Sequence, residues 1–304
     1  MVSVTQAVTQ AVLPAPELLG ETRCHLGEGP AYDAATDTAF WFDILERKLF
    51  EADLGAGSVT CHDLPLMASA LAMVDDERQI VSTESGLHLR SRRDGLMTLF
   101  RAVEADNRAT RSNDARAHPG GAFWFSMMSK SARAGAASIY ALSGGEVVLL
   151  FSGLTIPNAI CFSADGRQGF FADTAQNELY RVPLDPVTGL PREAPSSLAL
   201  SDDGKGLDGA VIDREGLIWI ARWGGARIDV FTDQGEAVRS LAVPARQPSC
   251  PVFVGRAFDR LLVTSAWEGQ DEAARAADPL GGATFVFTPS AVGKAEPRVR
   301  LGAH

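Results

Sequence analysis

The chain has 304 residues, 46% of them hydrophobic, and carries a formal net charge of −10. That acidity leaves no basic footprint for a nucleic-acid backbone, which excludes a nucleic-acid partner. No cluster of Lys and Arg suits a membrane surface, and no apolar run reaches the roughly 18 residues of a spanning helix.

Residues Met1 to Pro16 contain no Lys or Arg and no long apolar stretch, so they do not read as a secretory leader and a cytoplasmic protein is expected. They form an N-terminal extension, a candidate strand for a closing blade or a segment outside the fold. Residues 17–304 are expected to be one domain, because a repeat runs through them. Its first copy is Glu28 to Asp33, followed by the apolar run Phe40-Trp41-Phe42 and a strand candidate at Lys48–Ala52. A weaker copy starts near Ser69, with Leu71 and Met73, a turn at Asp75-Asp76, then Ile80-Val81 and Gly86–Arg90. The third runs from Asn113 to Gly120, then Phe123-Trp124-Phe125, Ser138–Leu142 and Glu146–Phe151. Between them Ser129–Ala137 is small and polar, a surface loop or a lid over one end of the molecule. The fourth runs from Asn158 to Gly166, then Phe170-Phe171 and Leu179–Val182. The fifth is the clearest: Asp208 to Ile212, a polar turn at Asp213–Gly216, Leu217–Ala221 around Trp219, then Ile228–Phe231. A last, weaker copy lies near Cys250, with Val252 and Val254, a turn at Asp259 and Leu261–Val263.

Six copies of short strands spaced roughly 40–50 residues apart predict an all-β, six-bladed β-propeller, at about four strands per blade. In such a ring the innermost strand of each blade lines a central channel, and equivalent positions form a ring around it. The first aligned position carries Glu28, Asn113, Asn158 and Asp208 in four of the six copies. Their side chains should therefore meet at one end of the channel. Carboxylates held together away from water repel, and a divalent cation resolves that conflict. Glu28 and Asp208 supply two negative charges and Asn158 a neutral amide oxygen, an all-oxygen set suited to a hard ion. The alternative is that each residue only caps a turn. Five positions further on, the copies carry Asp33, His118, Ser163 and Asp213, which read as turn chemistry and remove His118 from the catalytic candidates.

Other chemistries lack their residues. His25, His62, His88 and His304 form no ligand pair, so a histidine-built zinc site is not expected. Ser129 and Ser131 have no partner for nucleophilic catalysis, and no GxSxG elbow is present. The four cysteines, Cys24, Cys61, Cys161 and Cys250, are far apart in sequence and read as buried free thiols.

With these residues in view, the chain resembles the senescence-marker-protein/gluconolactonase family, also called regucalcin-like. The resemblance rests on Gly27-Glu28-Gly29-Pro30, Arg111-Ser112-Asn113-Asp114, Pro157-Asn158-Ala159, Leu207-Asp208-Gly209, Trp223-Gly224-Gly225 and Val263-Thr264-Ser265-Ala266, and spans about residues 20 to 290. It implies a six-bladed propeller that hydrolyses sugar lactones to aldonic acids with one divalent ion at the top of the channel. By motif position Glu28, Asn158 and Asp208 would hold that ion, calcium first, with magnesium, manganese, zinc or iron as other occupants. Arg111 and Asn113 would hold the substrate. The ion would polarise the lactone carbonyl, Asp208 would also serve as general base, and Arg111 would assist the developing oxyanion. Trp223 would form an apolar wall for the sugar or pack within its blade. One departure stands out. The loop Met127 to Ser131 carries Lys130 where some members offer a carboxylate to the sugar hydroxyls. Lys130 is thus either solvated or a sign of altered preference for ring size or hydroxyl pattern. The competing readings are a non-catalytic calcium-binding regulator, an interaction scaffold (although the WD dipeptide of scaffold propellers is absent), and an esterase acting on other activated esters. A closed ring needs no partner, so a monomer is expected.

Overall fold

In a computed structural model, the structure describes residues 9–10, 14–198 and 203–302. Alternating apolar residues and Asp/Gly turns build six antiparallel sheets. Blade 1 comprises Gly27–Asp33, Thr38–Asp43, Lys48–Asp53 and Ser58–Asp63, in that order from the channel outward. Blades 2, 3, 4 and 5 repeat the plan from inner strands Ala68–Met73, Thr110–Ala117, Pro157–Phe162 and Gly206–Ile212. Blade 6 starts at Pro248–Val254 and takes Arg260–Ser265 and Phe285–Phe287 as its next strands. Its outermost strand is Glu17–Leu18, paired antiparallel to Phe285–Phe287, so the N-terminal part of the chain closes the ring. Of the extension before residue 17, Thr9–Gln10 pairs in parallel with the outer strand Ala237–Ala242 of blade 5, not with the closing blade. Residues 1–8 and 11–13 lie outside the described residues, as does His304. The predicted all-β, six-bladed propeller is what the chain forms.

The inner and second strands are buried along almost their whole length, and the outer strands carry the exposed residues. Six apolar clusters fill the six seams between neighbouring blades. Trp41, Trp124 and Trp219 sit at the centres of three of them, each in the middle of a second strand. The turn residues behave as their chemistry predicts. Asp33 accepts from the Ala35 N–H, and Asp213 from the Glu215 and Leu217 N–H groups. His118 accepts from the Gly120 N–H and donates to the Gly166 carbonyl, so its ring is spent on a turn and a neighbouring loop. All four cysteines are free; Cys24, Cys161 and Cys250 are buried, but Cys61 is exposed. It lies on the outer strand of blade 1, most of whose side chains are exposed.

A feature that periodicity does not reveal governs the channel. Every inner strand has one extra residue against its neighbour near its start, a β-bulge repeated in all six blades. Along the ladders, Glu28 and Asn158 are the last paired residues before the bulge, whereas Asn113 and Asp208 lie inside it. Their alignment at one repeat position is therefore off by one for two of the four. The bulge absorbs the difference, with Gly29 and Ala159, which follow Glu28 and Asn158, in left-handed conformations. A side chain at Gly29 would lie 1.8 Å from the Ser69 carbonyl, and one at Gly209 would lie 2.3 Å from the Cys250 sulfur. These two glycines let adjacent inner strands approach each other closely.

A bulge also frees backbone groups from the ladder, and neighbouring blades satisfy several of them. Ser249 donates to the Gly27 carbonyl, Ser69 to that of Asn113, and Thr174 to that of Leu207. The Asp114 carboxylate accepts from the Ile160 N–H at 2.7 Å.

Among the described residues no helix is long and apolar enough to cross a membrane. A short helix, Glu272–Ala277, interrupts blade 6 after its second strand, capped by Asp271 accepting from the Ala274 N–H.

Candidate functional site

Each second strand runs antiparallel to its inner strand, so the end of the second lies opposite the start of the inner. These ends and starts together surround the channel mouth. They enclose a cavity of about 180 Å³ lined by Glu28, Arg111, Asn113, Asn158, Asp208, Lys130 and Trp223, all foreseen from the sequence. Leu26, Met128, Ala132, Ile156, Thr174 and Glu268 complete the wall and were not foreseen. Their signal was present in the repeat: Met128, Thr174, Trp223 and Glu268 all stand at or just beyond the ends of second strands. Larger surface grooves between blades 1 and 2 are lined by charges already paired, such as Arg92 with Asp33 and Arg78 with Asp75.

The polar groups of the mouth form a directed chain. Arg111 donates to the Asn113 amide oxygen at 2.7 Å and to the Ser112 carbonyl at 2.9 Å. Asn113 donates from its amide nitrogen to the Asn158 amide oxygen at 2.8 Å and to the Pro157 carbonyl at 3.0 Å. Asn158 in turn donates to the Thr174 hydroxyl at 2.8 Å. Both ends of the Asn113 amide are thus engaged within the protein. The Asn158 oxygen keeps a second lone pair.

Glu28 and Asp208 are buried, 8% and 4% exposed, and neither has an ion-pair partner within 4.0 Å among the described residues. Burial raises the Glu28 carboxyl to about 8, and the Asp114 carboxylate adds to the shift. Burial also holds Asp208 well above the usual carboxylate range, reinforced by Glu28 and then Asp114. Asp114 itself is lifted to about 6 by burial, against the pull of Arg116. Burial disfavours the Arg111 charge, which the carboxylates of Glu268, Glu28 and Asp208 support, Glu268 most strongly.

This donor set fits a hard divalent cation. Two unpaired buried carboxylates face one another's charge, and a neutral amide oxygen stands in the same wall. Among the described residues no group of three or more His, Cys, Asp or Glu side chains is placed to hold a metal, so a cation here would depend on the Asn158 amide for its third protein ligand.

Lys130 lies at the rim, with its ammonium 2.6 Å from the Glu84 carboxylate. Trp223 is half-buried and also packs against the apolar cluster between blades 1 and 2. The loop after Ser129 borders the cavity through Lys130 and Ala132, with Ala132 in a left-handed conformation.

Six blades around a channel whose mouth gathers buried acids, amides and one arginine define a propeller with a small-molecule site. Residues 26–267 match the family described as SMP-30/Gluconolactonase/LRE-like region, and the chain belongs to that family. It is 47% identical over 286 residues to a Rhizobium meliloti (strain 1021) protein provisionally named a sugar lactone lactonase, covering 93% of this chain and 96% of that one. It is 32% identical over 296 residues to the L-arabinolactonase of Azospirillum brasilense, with 95% and 97% covered. A solved structure described as a calcium-binding protein, regucalcin, from Agrobacterium tumefaciens strain C58 superposes with a TM-score of 0.93 at 44% identity, over 95% of this chain and 98% of that one.

Proposed function

We propose that the protein hydrolyses a sugar lactone to its aldonic acid at the channel mouth, in a reaction that depends on one divalent cation. The observation that carries this reading is the pair of buried carboxyls, Glu28 and Asp208, both raised chiefly by burial, Asp208 also by the Glu28 charge, and without an ion-pair partner within 4.0 Å among the described residues. Glu28, Asn158 and Asp208 would hold the cation, with calcium as the first candidate given the calcium-binding relative. When bound, the cation supplies positive charge to the ester carbonyl and keeps both carboxylates ionised.

The chain's own residues do the rest. Asp208 takes a proton from the attacking water as its oxygen bonds to the carbonyl carbon. Arg111, anchored by the Ser112 carbonyl and Asn113, directs its guanidinium to the carbonyl oxygen as negative charge gathers there. The ring C–O bond then breaks, and the departing alkoxide takes back a proton to give the hydroxy acid. Asn113 acts indirectly, since its amide is spent in orienting Arg111 and Asn158. Trp223 offers an apolar face to the sugar ring. Lys130, neutralised by Glu84, shapes the rim.

The test is base consumption on a panel of pentono- and hexonolactones, corrected for spontaneous opening, with and without EDTA. Turnover lost in EDTA and restored by a divalent ion supports the reading. No turnover of any lactone, together with tight calcium binding, supports the second reading that the calcium-binding relative favours, a regulatory propeller without catalysis.

A further inference from the structure

Two carboxylates outside the Glu28 and Asp208 pair reach the rim of the mouth, and their surroundings differ. Glu84 accepts from the Lys130 ammonium at 2.6 Å and from the Met67 N–H at 3.0 Å, so its oxygens are committed within the protein. The Glu268 carboxylate lines the cavity beside Trp223 and has no hydrogen bond or ion pair to its side chain among the described residues. Its backbone, by contrast, is held firmly. The Gln247 amide donates to the Glu268 carbonyl at 3.0 Å. The preceding Trp267 stacks on His25 with ring centroids 3.9 Å apart, and the Arg275 guanidinium covers the Trp267 ring at 3.9 Å. A free carboxylate on an immobilised backbone is a pre-organised acceptor.

It also shares the cavity wall with Glu28, Arg111 and Asp208. Among the carboxylates it gives Arg111 the strongest support, and its charge adds to the shifts of Glu28 and Asp208. Yet these three acids do not form a metal-holding cluster. Glu268 therefore lines the cavity without joining Glu28 and Asp208 in a three-acid metal site.

The geometry points to Glu268 as a specificity-determining residue whose carboxylate accepts hydrogen bonds from adjacent ring hydroxyls of the lactone. A carboxylate has two oxygens and no donor, so it suits two neighbouring O–H groups. Lys130, at the rim, is committed to Glu84; Glu268 supplies hydroxyl recognition from the opposite wall. The ligand class is a polyhydroxylated small-ring lactone, in preference to a lactone bearing an alkyl or acyl substituent. This inference rests on the hydrolytic reading above.

The test compares wild type, Glu268→Gln and Glu268→Ala on a matched set: a sugar lactone, its monodeoxy analogues and unsubstituted γ-butyrolactone. Circular dichroism and calcium titration calorimetry accompany the kinetics. The wild type should lose on the order of 10- to 100-fold in kcat/KM, through KM, when the recognised hydroxyl is removed. Glu268→Ala should show the same loss on the parent lactone and little further loss on that deoxy analogue, with calcium affinity unchanged. Glu268→Gln, which keeps one acceptor oxygen, should fall between. If Glu268→Ala is slowed equally on all lactones, on none, or only through weakened calcium binding, Glu268 does not read hydroxyls. A wild type that opens no lactone at all removes the hydrolytic reading, a different result from an active enzyme indifferent to Glu268.

Discussion

The two ends of the channel treat their charges in opposite ways. At the far end Arg116 is ion-paired to Glu296 and donates to the Ala210 carbonyl at 2.9 Å. The C-terminal segment brings Glu296 there, held by Lys294 donating to the Phe162 carbonyl and by backbone bonds of Val299 and Arg300 to Met73 and Gly121. Glu296 also accepts from the Tyr32 N–H. The segment thus ties several blades together beneath the ring, with its Glu296 carboxylate matched by Arg116. At the mouth, Glu28 and Asp208 lie buried with no ion-pair partner within 4.0 Å among the described residues, and Glu28 adds to the upward shift of Asp208. Buried charge that is matched within the protein is strongly costly only when one partner is removed. Buried charge left unmatched costs stability and persists where a ligand or ion supplies the balance.

The largest effect should come from breaking the mouth. Asp208→Ala is expected to lower lactone turnover by about 10³-fold or more and to weaken cation binding, because the proposed mechanism makes Asp208 both a ligand and the proton acceptor. The same change should leave the EDTA-treated protein as stable as the wild type or more so, since one of two mutually repelling carboxyls is gone. Thermal melts in EDTA read the second effect independently of activity.

Breaking the far end should do the reverse. Glu296→Ala strands Arg116 in the interior and is expected to cost about 3 kcal/mol in urea unfolding. Turnover per folded molecule should stay within a few-fold of wild type. A loss of kcat in this variant comparable to that of Asp208→Ala would erase the distinction between the two ends.

Removing the cation should make the contrast depend on pH. The Glu28 carboxyl rises from an ordinary value of 4.5 to about 8 in the folded chain, and Asp208 shifts in the same direction. Over that window the folded state binds more protons than the unfolded state. Metal-free protein should therefore be stabilised below about pH 4.5 by these groups and lose that stability as pH rises toward 8. In EDTA the melting temperature should fall between pH 6 and pH 8.5. Saturating divalent cation should shrink or reverse the difference, and a melt in EDTA that is flat across this range would contradict the unmatched-charge reading.

What the sequence disclosed follows from what is local. Apolar runs such as Phe40-Trp41-Phe42 and turns such as Asp213–Gly216 are set by neighbours in the chain, so six blades and their inner strands could be placed from composition and spacing. The bulges could not, because a bulge is a relation between two strands, and the off-by-one alignment of Asn113 and Asp208 came from that. The closing strand, Glu17–Leu18, is two residues long and carries no period. Glu268 was missed because it lies in the loop just beyond the second strand of a weaker repeat, and the alignment read the starts of inner strands rather than the ends of second strands. Lys130 was noticed, but its pairing with Glu84, 46 residues earlier, is a product of the ring.

That pair provides the smallest and most discriminating expectation. Lys130 and Glu84 are each about one-third exposed or less, and a pair with that much solvent contact contributes no more than about 1 kcal/mol. Lys130→Met should hardly alter the melting temperature. It should, however, release Glu84, whose carboxyl burial raises but whose bond to Lys130 brings it below the ordinary value. A Glu84 released from Lys130 would keep its bond from the Met67 N–H and leave its other oxygen free near the rim. The expected result is a shift of a few-fold in relative kcat/KM among lactones that differ in hydroxyl pattern, with kcat on the preferred lactone nearly constant. A uniform fall in kcat on every lactone would instead mean that the ammonium itself meets the substrate and that its bond to Glu84 yields during turnover.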